Sequence, residues 1–318
     1  MSRSIVHSIS RQVRETAAEV AWAQWSSLTA AAASRTSVRS MVDPEALILF
    51  SIAFCDHERR LRDLVFALAR TGTRMLSVQR MDAIADAYSA GAQEGLREFA
   101  WAAAEAGDHR WSPHAEPPPA GRPPVRKKAL GKLRVMHAPG LILRLRGGLG
   151  VGVKADLLAF LLGLHGAAVP LKVMALATGY TSRGLRKAAE EMAVAGFIQQ
   201  SEDTPVSYMA DHRAWAAVLR LNEASRPGGR AGVPPWRYWS LVFAFMTAVD
   251  EWAAAAEQQE WSDYVASSRA RDLAQDHAPR LRLAGVLLPD PREPSGAAYL
   301  EDFARAVERL TAWCRKSV

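Results

Sequence analysis

Six side chains between positions 180 and 187 could bind a polyanion: Tyr180, Thr181, Ser182, Arg183, Arg186 and Lys187. An Arg guanidinium is a planar fork that fits both a phosphate and the hydrogen-bonding edge of guanine. Lys is a compact positive charge, and hydroxyls bind phosphate oxygens or bases. Upstream, between Pro117 and Ala155, stand Arg122, Arg126, Lys127, Lys128, Lys132, Arg134, Arg144, Arg146 and Lys154, with no acid among them. The rest of the chain is close to balanced, so this strip carries the formal net charge of +7. A strip of that kind can neutralise several phosphates of a nucleic-acid backbone.

The pattern around these residues predicts the elements that must hold them. Leu157, Leu158, Leu161 and Leu162 give the inward face of a helix from Val153 to Leu164, and Val169-Pro170-Leu171 can supply a short strand. Lys172 to Ala177 then predicts a supporting helix. Ala175 is small where a second helix must cross closely, and Gly179 suits the left-handed backbone of a sharp turn. Thr181 or Ser182 caps the next helix. There Leu185, Ala188, Ala189 and Met192 recur at the apolar helical spacing and leave Arg183, Arg186, Lys187 and Glu190 on the other side. Strands near Phe197 to Gln200 and Val206 to Met209 complete a hairpin.

From about Val153 to Ala210, roughly a fifth of the chain, this pattern resembles the winged-helix domain of bacterial transcriptional regulators. The residues that carry the likeness are Ala175, Gly179, Leu185, Met192, Gly196 and Phe197. The resemblance implies a recognition helix whose N-terminal part enters a major groove, with Arg183 at guanine edges and Thr181, Ser182, Arg186 and Lys187 on phosphates or bases. Tyr180, in the turn, would touch the backbone. It also implies a repressor acting as a homodimer on double-stranded DNA. The alternative is a protein-interaction module, an antitoxin or adaptor, that uses the same scaffold to hold a co-encoded partner. Two features depart from the pattern. Gly184 lies inside the recognition helix, where Gly costs about 1 kcal/mol relative to Ala. Glu202 and Asp203 form an acidic wing tip, which phosphate would repel, so the wing is expected to lie off the DNA or to meet a protein.

The flanks read as helical. Val13, Ala17, Val20 and Ala21 share one face of an early helix, and Asp43-Pro44-Glu45 is a helix start, with Asp43 as cap, Pro44 in the first turn and Glu45 at the positive end. Pro-rich residues 113–124 cannot continue a helix. The expected fold class is therefore mainly α: a helical N-terminal domain (1–112), a Pro-rich basic linker (113–128), a central winged-helix α+β domain with basic lead-in (129–222), and a helical C-terminal domain (235–318). Trp22, Trp25, Trp236, Trp239, Trp252, Trp261 and Trp313 fall in the two flanks, where aromatics at helical spacing are mostly core.

Several function classes are set aside. Gly147, Gly148, Gly150 and Gly152 precede Lys154, but Val153 intervenes and Ala155 follows, so the phosphate-loop spacing is absent. Cys55 and Cys314 are the only cysteines and the histidines are scattered, so neither a disulfide framework nor a metal site is expected. No patterned catalytic constellation is present, and no cofactor is expected. Nowhere do eighteen apolar residues run together. A cytoplasmic protein of high-GC bacterial composition, without a membrane span, is the expectation.

Overall fold

The computed structural model describes residues 2–30, 32, 38–119, 130–221, 232–293 and 298–318. Among these the protein is mainly helical with one small sheet. Of the expected basic strip, Arg122, Arg126, Lys127 and Lys128 lie outside the described residues, as do parts of the 113–128 linker and of the break after residue 221.

The chain opens with α1 (Ser2–Leu28), α2 (Pro44–Ala53), α3 (Arg59–Thr71), α4 (Val78–Ala85) and α5 (Ala90–Glu105). It then runs through α6 (Leu141–Leu149), α7 (Val153–Gly163), β1 (Val169–Pro170), α8 (Leu171–Thr178), α9 (Ser182–Val194), β2 (Gln199–Gln200), β3 (Ser207–Met209) and α10 (His212–Val218). Finally come α11 (Trp239–Gln258), α12 (Asp263–Leu281) and α13 (Tyr299–Ser317).

The terminal segments do not form two separate helical domains. They share one core, in which Trp25, Leu47, Phe50, Phe99, Trp239, Phe243, Phe303 and Leu310 are all buried. The reason is visible in α2, whose sequence Pro-Glu-Ala-Leu-Ile-Leu-Phe-Ser-Ile-Ala has no polar face, so it must be covered on every side. It packs against α1, α3, α5 and α11. The Phe50 and Phe243 rings stack with centroids 4.0 Å apart, and Trp239 stacks on Phe243 at 5.0 Å. The helical body therefore needs residues from both ends of the chain, and the middle segment is inserted into it.

The inserted unit has its own core of Leu141, Leu157, Phe160, Leu161, Met174, Leu185, Met192 and Tyr208. The strand order is β1-β3-β2, antiparallel throughout, with Tyr208 opposite both Val169 and Gln200. Trp236, expected in the C-terminal flank, belongs here instead. Its ring meets Phe160 edge-on at 5.3 Å, and its backbone N–H donates to the carbonyl of Gly163 at 2.9 Å. Gly163 has to lack a side chain, because a Cβ there would sit 2.6 Å from the Trp236 nitrogen. Among the described residues no helix is long and apolar enough to cross a membrane.

Candidate nucleic-acid interface

The expected helix-turn-helix residues fall on α8 and α9. Gly179 closes α8 with φ 78° and ψ 1°, a left-handed conformation that a side chain makes unfavourable. Thr181, not Ser182, caps α9: its hydroxyl accepts the Gly184 backbone N–H at 3.2 Å. Leu185, Ala188, Ala189 and Met192 are buried, so α9 is pinned on one side to the core of the inserted unit. Its opposite face leaves Thr181, Ser182, Arg183, Arg186 and Lys187 exposed.

That face is of mixed sign. The Lys154 ammonium, at the start of α7, lies 2.7 Å from the Glu191 carboxylate, and Lys187 lies 4.0 Å from the same group. The hydrogen bond from Lys154, reinforced by the charge of both lysines, outweighs partial burial and lowers the pKa of Glu191. Between the Gly150–Lys154 turn and α9 runs an open groove of about 380 Å³, floored by Gly184 and Ala188 and edged by Lys187 and Glu191. Lys132 is exposed and Arg144 half-buried. Glu202 and Asp203 at the wing tip are exposed.

Two of the expected DNA-facing residues are not available to a phosphate. Arg146 is 2 % exposed and Tyr180 is 3 % exposed. Both belong to a buried ionic network that joins the inserted unit to the helical body. Arg146 donates to Glu45 at 2.6 and 3.0 Å, and to Asp156 through Nε and Nη2 at 2.7 Å each. It also reaches the carbonyl of Met75 at 3.0 Å. Arg80 donates to Asp43 at 2.5 and 2.6 Å, to Glu45 at 2.8 Å and to the carbonyl of Thr178 at 2.8 Å. The Tyr180 hydroxyl donates to Asp156 at 2.8 Å and lies 3.0 Å from the Ser77 hydroxyl.

Two arginines thus face three carboxylates away from water. Burial alone would raise the pKa of Glu45, but the charges of Arg146 and Arg80 and hydrogen bonds from Arg146 and the Ser77 N–H outweigh it, lowering it to about 2. Burial likewise opposes the charge on Arg80 and Arg146, and their carboxylate partners outweigh that effect and hold both guanidiniums protonated. Burial and the neighbouring Asp156 push the Tyr180 phenol up. Glu45 therefore stays ionised, Arg80 and Arg146 stay charged and Tyr180 keeps its proton, the states in which they bind their partners.

The sequence reading missed this network. Asp43 and Glu45 look like an ordinary helix start, and Asp43 does accept the Ala46 N–H at 3.2 Å. Asp156 carries the available signal, as the one acid in the apolar run of α7. A charge on a face that must be buried demands a partner. Comparison with known protein families, with curated proteins and with solved structures finds no match to this chain.

Proposed function

We propose that this protein is a sequence-specific DNA-binding transcriptional regulator, a repressor that acts as a homodimer through a winged helix-turn-helix spanning about residues 153–210. The observation that carries the reading is α9 itself: its apolar side is packed, while Arg183, Arg186 and Lys187 stand exposed on its N-terminal two turns. That end is the one such motifs place in a major groove, where Arg reads guanine. Two copies on a pseudo-palindrome would multiply affinity and specificity.

A second reading, a protein-docking module, is favoured by a different observation. Val194, Phe197, Val206 and Val218 are exposed around the C-terminal end of α9, the hairpin and α10, beside the acidic wing tip. Exposed apolar side chains gathered on these neighbouring elements of the chain fit a protein better than they fit phosphate.

The test is retention of sheared genomic DNA by the purified protein at near-physiological salt, followed by sequencing. Sharp peaks, especially upstream of its own gene, support the regulator and supply the operator. Uniform or absent retention, together with a tight complex with a co-encoded protein, would replace it with the docking reading.

A further inference from the structure

The helix-turn-helix is held by the helical body at the very end it would present to DNA. Three consecutive residues of the turn are gripped by α4 and the residue before it. The Thr178 carbonyl accepts from Arg80, the Tyr180 hydroxyl pairs with Ser77, and Gly179 is pressed against the helix between them. A Cβ on Gly179 would come within 2.9 Å of Ile84 Cγ2 and 3.8 Å of Ala83 Cβ.

This placement matters because of the size of a major groove. The groove is about 12 Å wide, and a helix with its side chains about 10–12 Å across, so a helix entering N-terminus first brings both phosphate strands close to the turn that precedes it. Here α4 occupies that position. It also carries the wrong charge: Asp82 and Asp86 lie on either side of Ala83 and Ile84, with Asp86 exposed and Asp82 partly so. His114, 3.3 Å from Asp82, compensates that charge only when its ring is protonated. Arg146, which could meet a phosphate, is turned inward onto Glu45.

We propose that this arrangement is the closed, DNA-occluding state of the regulator, in which α4 covers the turn that leads into the recognition helix, and so bars the DNA strands that must pass beside it, until the inserted unit swings off the helical body. The inference rests on the DNA-binding reading above. The latch is chemically suited to release. An apolar interface of the same extent would lose its whole hydrophobic stabilisation on opening, whereas Arg80, Arg146 and their carboxylates recover hydration when exposed, which offsets much of the lost attraction. A joint of this kind can be two-state.

The test compares the full-length protein with two core truncations, Ile84→Ala, beside Gly179, and Ile52→Ala, in the body core away from it. Binding to labelled random-sequence duplex DNA at low salt is read by anisotropy. Amide exchange is read at 77–80 and 178–180 in the unaltered protein, with and without saturating DNA. The closed-state proposal expects Ile84→Ala to bind about five- to tenfold tighter, because less of the protein is held in the closed form, and Ile52→Ala to bind no tighter. It also expects DNA to speed exchange in both segments. If the unaltered protein binds DNA while these amides stay as protected as before, the docked form is itself the binding form and the proposal fails, whatever Ile84→Ala does to folding. If neither the unaltered protein nor Ile84→Ala binds DNA at all, the DNA-binding reading falls and takes this inference with it.

Discussion

Arg146 and Glu45 lie 101 residues apart and meet as a buried bidentate pair, with Nη1 and Nη2 at 2.6 and 3.0 Å from the two carboxylate oxygens. One belongs to the inserted unit and the other to the helical body. The pair decides how the two parts are joined, and Asp156 on one side and Arg80 on the other extend it.

Arg146→Met leaves Glu45 and Asp156 buried without their main partner. Removing one member of such a network typically costs about 3–5 kcal/mol. Chemical denaturation followed by Trp fluorescence is expected to show a loss of that size, and a loss below about 1 kcal/mol would mean that the carboxylates find water or another partner.

Stability is expected to fall in acid. The folded-state pKa of Glu45 is lowered to about 2 from an ordinary value of 4.5, so the group binds fewer protons folded than unfolded between those values. Its contribution is complete above 4.5 and is lost as pH falls through about 2. Asp108 acts in the same direction: the hydrogen bonds from Arg110 and Thr73 outweigh its partial burial and lower it to about 2 from 3.8. Denaturation midpoints compared at about pH 6 and about pH 3 check the slope, which is expected to be shallower in Arg146→Met because the pull on Glu45 is weaker.

Gly179→Ala should be destabilising and Gly184→Ala nearly neutral, although both lie in the helix-turn-helix. At Gly179 the left-handed backbone alone costs a side chain about 1–2 kcal/mol, and the new methyl would also press on Ile84 at 2.9 Å. At Gly184 the backbone is helical and a Cβ meets only the Thr181 hydroxyl, at 3.3 Å. There the gain in helix propensity of up to about 1 kcal/mol is set against a loosened cap, and the net change should stay within about 0.5 kcal/mol. Thermal melts of both variants decide this; equal losses would contradict the turn geometry.

Arg183→Ala and Arg186→Ala each remove a guanidinium that would read a base edge, and each is expected to reduce discrimination between DNA sequences by about 1–3 kcal/mol. Tyr180→Phe removes a buried hydroxyl that serves Asp156 and Ser77, so it should lower stability by about 1–2 kcal/mol without altering sequence preference. Competition binding against shuffled sites separates the two effects. An altered preference in Tyr180→Phe, with none in the arginine variants, would place the reading surface elsewhere.

Much of the local structure was legible because it depends on near neighbours. The apolar spacing of Leu185, Ala188, Ala189 and Met192 selects the buried side of α9, and Gly179 and the Thr181 hydroxyl mark the turn and the cap. The order of helices and short strands from Val153 to Met209 follows the same local rules, as does Asp43 beginning α2. These signals act over one or two turns of chain and are present in the residue types themselves.

Other features were decided only by the tertiary structure. Both chain ends were read as helical, but nothing in either shows that α2 needs α11 to cover it, since a helix without a polar face specifies burial without naming its partner. The same applies to charge. Arg144, Arg146 and Lys154 look alike in a basic strip, yet Lys154 stays exposed while Arg146 turns inward, because Glu45 and Asp156 converge on it from two different parts of the chain. A guanidinium is stable in water or against buried carboxylates, and which of the two it meets depends on pairings about a hundred residues apart that no local pattern encodes.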